Sequence, residues 1–232
     1  MELQFAFLVL TLLVNLFLLI LGFKAIELTS SRKVLHKFIL LAGLLGWQVY
    51  IYVLSSSGLL MSYEFPPRIA LAFIFPSFIF TAVFLYKSRK KVWIKHMPES
   101  QLVYIQSFRV FVEFLLLFSF FKGIFNQEVT IEGYNFDMIF ALSAPIVGYL
   151  VFYKQVISKR FLEVWNYTGL LVLATVIFVF LSSVYKPELY GSQDPLLSLE
   201  AFSYPYVLIA GFLMPVAVFV HILSIVQIRF GK

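Results

Sequence analysis

Seven stretches of the chain, residues 3–23, 38–63, 69–86, 102–121, 136–153, 164–185 and 201–228, are apolar over about the 17–25 residues needed to cross ~30 Å of hydrocarbon. Inside a bilayer only helices and closed barrels satisfy their own backbone. Barrel strands would alternate polar and apolar residues at every second position, and these runs do not. The expected fold is therefore all-α: one membrane domain, residues 1–232, built as a seven-transmembrane helix bundle. Composition agrees, with 61% hydrophobic and only 13% charged residues. Half the roughly 25% charge of a soluble domain cannot cover a globule of this size in water. A soluble enzyme, a nucleic-acid partner and a disordered chain are thereby excluded, and the first partner is the lipid bilayer. The first run is expected to be a span rather than a signal peptide. No Lys or Arg precedes it, it exceeds a signal's apolar region, and no small-residue cleavage site follows.

Charge sets the expected orientation. Lys24, Arg32, Lys33 and Lys37 fall in the first connection, and Lys87, Arg89, Lys90, Lys91 and Lys95 in the third. Lys154, Lys159 and Arg160 fall in the fifth, and Arg229 and Lys232 after the last span. The opposite side receives only Arg68, Lys122 and Lys186. The positive-inside rule then places the N-terminus outside and the C-terminus in the cytoplasm, as an odd number of spans requires. The connections are short, no linker marks a second domain, and no convincing internal repeat is evident. An inverted three-plus-three arrangement around a central helix is compatible with seven spans. Pro76, Pro145, Pro205 and Pro215 lie within or near the ends of spans, where each removes a backbone hydrogen bond and favours a kink.

The fourth run carries the most informative polar residues. Gln106, Arg109 and Glu113 are spaced i, i+3, i+7 and so share one helical face. Counted at 1.5 Å per residue from Gln101, Arg109 lies roughly 12 Å and Glu113 roughly 18 Å into the membrane. A carboxylate at that depth must be paired, protonated or beside water. Arg before Glu is the weaker order for an intrahelical pair, so the two are expected to contact each other with help from another helix. The same depth count puts Asn15, Gln48 and His221 near that layer, and Asn166 closer to the cytoplasmic surface. A lone Asn or Gln in a span serves equally as interhelical glue, while His221 has the chemistry of a proton shuttle.

Two clusters sit at the expected surfaces. In Glu132-Gly133-Tyr134-Asn135-Phe136-Asp137, Gly133 suits a tight turn. Asn135 or Asp137 can cap the following helix, and capping is the expected role of Asp137. In Trp165-Asn166-Tyr167-Thr168-Gly169, Trp165 and Tyr167 fit an interfacial aromatic belt. Asn166 either caps or faces the polar layer.

Other chemistries fail on inventory. There is no Cys, hence no thiolate metal site and no cysteine nucleophile. His36 and His96 fall in loops, which leaves no pair of histidines for haem. No His, Asp and Glu spacing supports a metal, and no Lys in the last span could carry a Schiff base. Gly-x-Ser-x-Gly, His-Glu-x-x-His and phosphate-binding glycine loops are all missing. No cofactor, no metal and no enzymatic activity are expected.

The order Gln106-x-x-Arg109-x-x-x-Glu113, Gly133-x-Asn135-Phe136-Asp137, Ala144-Pro145, Trp165-Asn166-x-x-Gly169, then Pro215 and His221-x-x-Ser224 resembles a group of uncharacterised bacterial seven-helix membrane proteins. The resemblance covers residues 100–228 and implies a bacterial inner-membrane location, with no activity attached. Size and expected topology are also similar to small seven-helix sugar transporters, but the Pro-Gln signature of that class is missing.

Two functional expectations follow. In the first, a polar pocket around Arg109 and Glu113, completed by Gln106, Gln48, His221, Asn15 and Asn166, binds or translocates a small polar or anionic solute, with proton coupling as an option. In the second, the protein is a membrane sensor or assembly module and its Arg–Glu pair is purely structural. A water-accessible cavity marks the first; a packed, dry core marks the second.

Overall fold

A computed structural model describes residues 2–231. These form eight helices: α1 Glu2–Thr29, α2 Lys33–Ser56, α3 Ala70–Ser88, α4 Val92–His96, α5 Glu99–Phe121, α6 Asp137–Tyr153, α7 Lys159–Tyr185 and α8 Ile209–Phe230. Among the described residues there is no strand. Six of the helices are long and apolar enough to cross a membrane. The seventh expected span, α6, is shorter, at roughly 26 Å for its 17 residues.

Large apolar side chains point outward on the long helices: Leu12 and Leu13 on α1, Val53 on α2, Phe80 on α3, Phe111 on α5, Phe178 on α7. Arginine, carboxylates and histidine lie inside. Water would penalise both halves of that distribution, whereas hydrocarbon rewards both. It is the arrangement of a multi-pass membrane protein.

The helices differ sharply in burial. In its most apolar stretch α8 is 72% buried and α2 only 11%, so α8 is the core of the bundle and α2 lies on its surface. Helix α8 packs against α3, α4, α5 and α7, while α5 touches α1, α6 and α8. The functional candidates that reach the centre project from α5, α6, α7, α8 or the loop just before α6.

The last helix begins at Ile209, eight residues later than the apolar run starting at 201. Residues 199–202 instead form a 3-10 turn capped by Ser198, whose hydroxyl accepts from the Glu200 amide. The residue before Pro205 is disfavoured in helical conformation, which delays the start further.

A local repeat is visible once α3 and α8 are compared. Each opens with a π-helical turn, Ala70–Ile74 and Ile209–Leu213, and each has proline two residues later, Pro76 and Pro215. Proline removes the donor that would serve the carbonyl four residues before it. Both freed carbonyls are served by α2: the Tyr50 hydroxyl donates to Ala72 O at 3.3 Å, and the Trp47 indole to Gly211 O at 2.9 Å. Helix α2 thus clips the kinks of two neighbours with adjacent aromatic side chains.

The basic ends of the helices are cross-tied. Glu27 pairs with Lys33 and Lys37, Glu99 with Lys159, and Glu163 with Arg229. Each of the three acids is thus neutralised by a base from the Lys- and Arg-rich connections or helix ends. At the same end Gln227 donates to the carbonyls of Ile94 and Met97 and so holds α4 against α8.

Candidate functional site

Helix α5 turns Gln106, Arg109 and Glu113 onto its buried face, as their spacing requires. Arg109 is 2% exposed, too buried to reach water. Its partner is not Glu113. Asp137, the first residue of α6, receives both the Nε and Nη2 donors of the guanidinium, Nε at 2.8 Å. This planar, two-point pairing is the strongest form of the arginine–carboxylate bond. Asp137 therefore does not cap α6 with its side chain. That work falls to Asn135, whose Oδ1 accepts from the Asp137 amide at 2.9 Å.

The remaining donor of Arg109, Nη1, meets His221 Nε2 at 3.0 Å. Guanidinium can only donate, so Nε2 accepts and the proton of the neutral ring sits on Nδ1. Nδ1 then donates to Asn166 Oδ1 at 2.8 Å, and Asn166 Nδ2 donates to Ser224 Oγ at 3.0 Å and to Leu162 O at 2.8 Å. All donors run the same way, from α5 through α8 to α7. Phe140 lies against the guanidinium at 5.2 Å, and Trp165 and Phe140 enclose the imidazole at 5.4 and 5.8 Å. A Cβ on Gly169 would collide with the His221 ring, so only glycine fits there. Trp165 is accordingly buried, with its indole donating to Ser143 Oγ at 2.8 Å. Of the two expected belt aromatics, only Tyr167 is exposed.

Glu113 takes its hydrogen bond from the loop before α6 instead. Its Oε2 accepts from Asn135 Nδ2 at 2.8 Å, and the same amide reaches Val129 O at 2.9 Å. Asn135 holds the Glu113 carboxylate through its amide nitrogen and the Asp137 backbone through its amide oxygen. The turn that delivers it needs Gly133, where a Cβ would strike the backbone of Gln127 and Glu128. Among the described residues no hydrogen-bond partner is found for Glu113 Oε1, although the residue is 2% exposed. Glu113 and Asp137 instead border a cavity of about 90 Å³. Its walls are apolar: Val112 and Leu116 from α5, Leu173 and Val176 from α7, Val207 and Leu213 beside and within α8.

Other expected members of the pocket are elsewhere. Asn15 is half-buried and donates to Thr11 O, one turn back in its own helix. Gln48 is half-buried on α2, and its Nε2 is shielded without a partner. Neither bonds to Arg109, whose side-chain partners are Asp137 and His221. Gln106 is fully buried; its Nε2 donates to Ala217 O at 3.2 Å, which fastens α5 to α8 outside the charge network. His221 and Asn166 do join Arg109. Among the described residues no cluster of His, Asp and Glu is arranged to hold a metal.

Comparison with protein-family models, with curated proteins and with solved structures finds no match.

Proposed function

We propose that this is a seven-span membrane protein, N-terminus outside and C-terminus cytoplasmic, resident in a bacterial inner membrane, which binds a small solute within the bundle through Glu113. The observation that carries this reading is the contrast between two buried charges. Each of the three guanidinium nitrogens of Arg109 already donates to Asp137 or His221, so an anionic solute would have to compete with Asp137. Glu113 keeps one oxygen unengaged at the edge of a cavity. An oxygen left without a donor favours a cationic or hydrogen-bond-donating solute over an anion. Seven spans are supported by α6, whose 17 residues meet the lower limit for a crossing helix. Orientation rests on the basic connections gathered at one end.

The reading as an assembly or sensing module is favoured by one observation, the engagement of all three Arg109 nitrogens. That pairing is what a purely structural clamp would have.

A thermal-stability assay on the purified protein separates the two. Methylammonium should raise the melting temperature of the wild type and leave Glu113→Gln unmoved, while acetate does nothing to either. Stabilisation by acetate, or equal stabilisation of wild type and Glu113→Gln by methylammonium, would sink the proposal. Orientation is read by single cysteines at Lys90 and Glu188, both exposed, in a background with no Cys. Only Glu188→Cys should react with an impermeant reagent applied from outside.

A further inference from the structure

Resting on Glu113 as the solute-facing group, the geometry points to a narrower ligand: a long-chain ammonium compound that enters sideways from the bilayer between α3 and α7, its head against Glu113 and its chain in the opening. Three observations carry this.

The first is the shape of the space. The cavity, at about 90 Å³, falls short of the ~300 Å³ of a compact solute site. The apolar lining nevertheless continues outward. Its inner wall, at Phe108, Val112 and Leu116, is buried, whereas Ile69, Ile177, Leu181, Ala210 and Met214 are only half-buried. These five lie on or beside α3, α7 and the stretch of α8 that separates them. A slot of this form takes a small head and a few methylenes and leaves the rest of a chain among lipids.

The second is the roof. At the acidic end the cavity is covered by residues 60–68 and 197–202, with Leu60 and Leu197 almost fully buried. The roof is tied down: the Tyr63 hydroxyl donates to Leu197 O at 2.6 Å, the Tyr185 hydroxyl to Glu64 O at 3.4 Å, and Arg68 to Leu59 O at 3.0 Å while it pairs with Glu64. Entry from water on that side would break these bonds. Entry from the side displaces only apolar contacts.

The third is charge. Asp137 balances Arg109, and the unengaged oxygen of Glu113 is left for a donor. An ammonium head satisfies it with a charge-assisted bond, whereas a carboxylate head has no proton to give it; Arg68, the cation in the lining, is already paired with Glu64.

The test uses the full chain in phosphatidylcholine nanodiscs, whose headgroups carry no primary amine. The probe is an alkylammonium with a diazirine on its chain, and labelled residues are mapped by mass spectrometry. Labelling is expected on the cavity side of α7, within residues 173–181, and around residues 207–214. Dodecylammonium should displace it at least tenfold more effectively than dodecanoate or methylammonium. Glu113→Gln should weaken that displacement about tenfold, the loss expected for a hydrogen bond to a charged group. Glu113→Asp, which keeps the charge but withdraws it from the cavity, should weaken it as well, and serves if Glu113→Gln does not fold. Ala210→Phe should reduce labelling by narrowing the opening. Dodecanoate competing as well as dodecylammonium, or labelling confined to outward-facing residues whichever side chain stands at 113, overturns the inference. If methylammonium competes as well as dodecylammonium and Glu113→Gln abolishes both, the inference falls while the small-solute proposal stands. If no probe depends on Glu113, both fall.

Discussion

Arg109 and Glu113 stand one helical turn apart on the same buried face of α5, and they meet opposite surroundings. Around Arg109 every guanidinium nitrogen has a partner: a two-point carboxylate and an imidazole accept from it, and an aromatic ring lies against it. Around Glu113 one amide is supplied, and beyond it lies space lined by aliphatic side chains. The difference teaches that a buried charge is not in itself a functional site. Removing a charge from water costs several kcal/mol, and a bundle with no use for that charge must offset the cost with partners. Where the partners are complete the group holds helices together. Where they are incomplete beside a cavity, the missing partner is the ligand.

Breaking the Arg109 side should have the largest effect. Arg109→Gln leaves Asp137 buried and unpaired, and should cost about 3–5 kcal/mol in unfolding free energy. Changing Asp137→Asn as well should recover most of that loss, because removing both members of a buried pair is nearly neutral. Gly169→Ala probes the same region through packing. Its methyl group must displace the His221 ring or Phe140, at about 1–3 kcal/mol. Trp47→Phe, on the far side of α8, keeps the ring but leaves Gly211 O without its donor; about 1 kcal/mol is expected. The smallest effect should come from Gln48→Leu. It removes a shielded amide that has no partner, and in a lipid-facing helix the variant should be neutral or slightly more stable. All four are read by chemical or thermal unfolding of the purified protein.

These contrasts also mark what could be read from residue order. The apolar runs located the long helices, and i, i+3, i+7 spacing placed Gln106, Arg109 and Glu113 on one buried face. Long apolar segments have few alternatives in lipid, which is why this layer of structure is legible. The partner of Arg109 was not. Asp137 lies 28 residues away at the start of the next helix, where an aspartate has an ordinary local explanation as a cap. A signal was present: an unneutralised intramembrane arginine, followed by an Asn-Phe-Asp turn that re-enters the bundle. Asn15 and Gln48 failed for a different reason. Depth counting fixes one coordinate of a residue, and neither side chain joins the Arg109 network. The start of α8 was missed because a 3-10 turn and a helix of the same apolar composition look alike in hydropathy.

The central claim is that Arg109 is spent on Asp137 and Glu113 is not. A pair of double-mutant cycles on unfolding free energy tests it most directly, with Arg109→Gln combined in turn with Asp137→Asn and with Glu113→Gln. The structure predicts a coupling of about 2–3 kcal/mol for Arg109 with Asp137, and below about 1 kcal/mol for Arg109 with Glu113. The reverse ranking would contradict it, because Glu113 would then be the partner of Arg109 and the cavity would border no unengaged carboxylate.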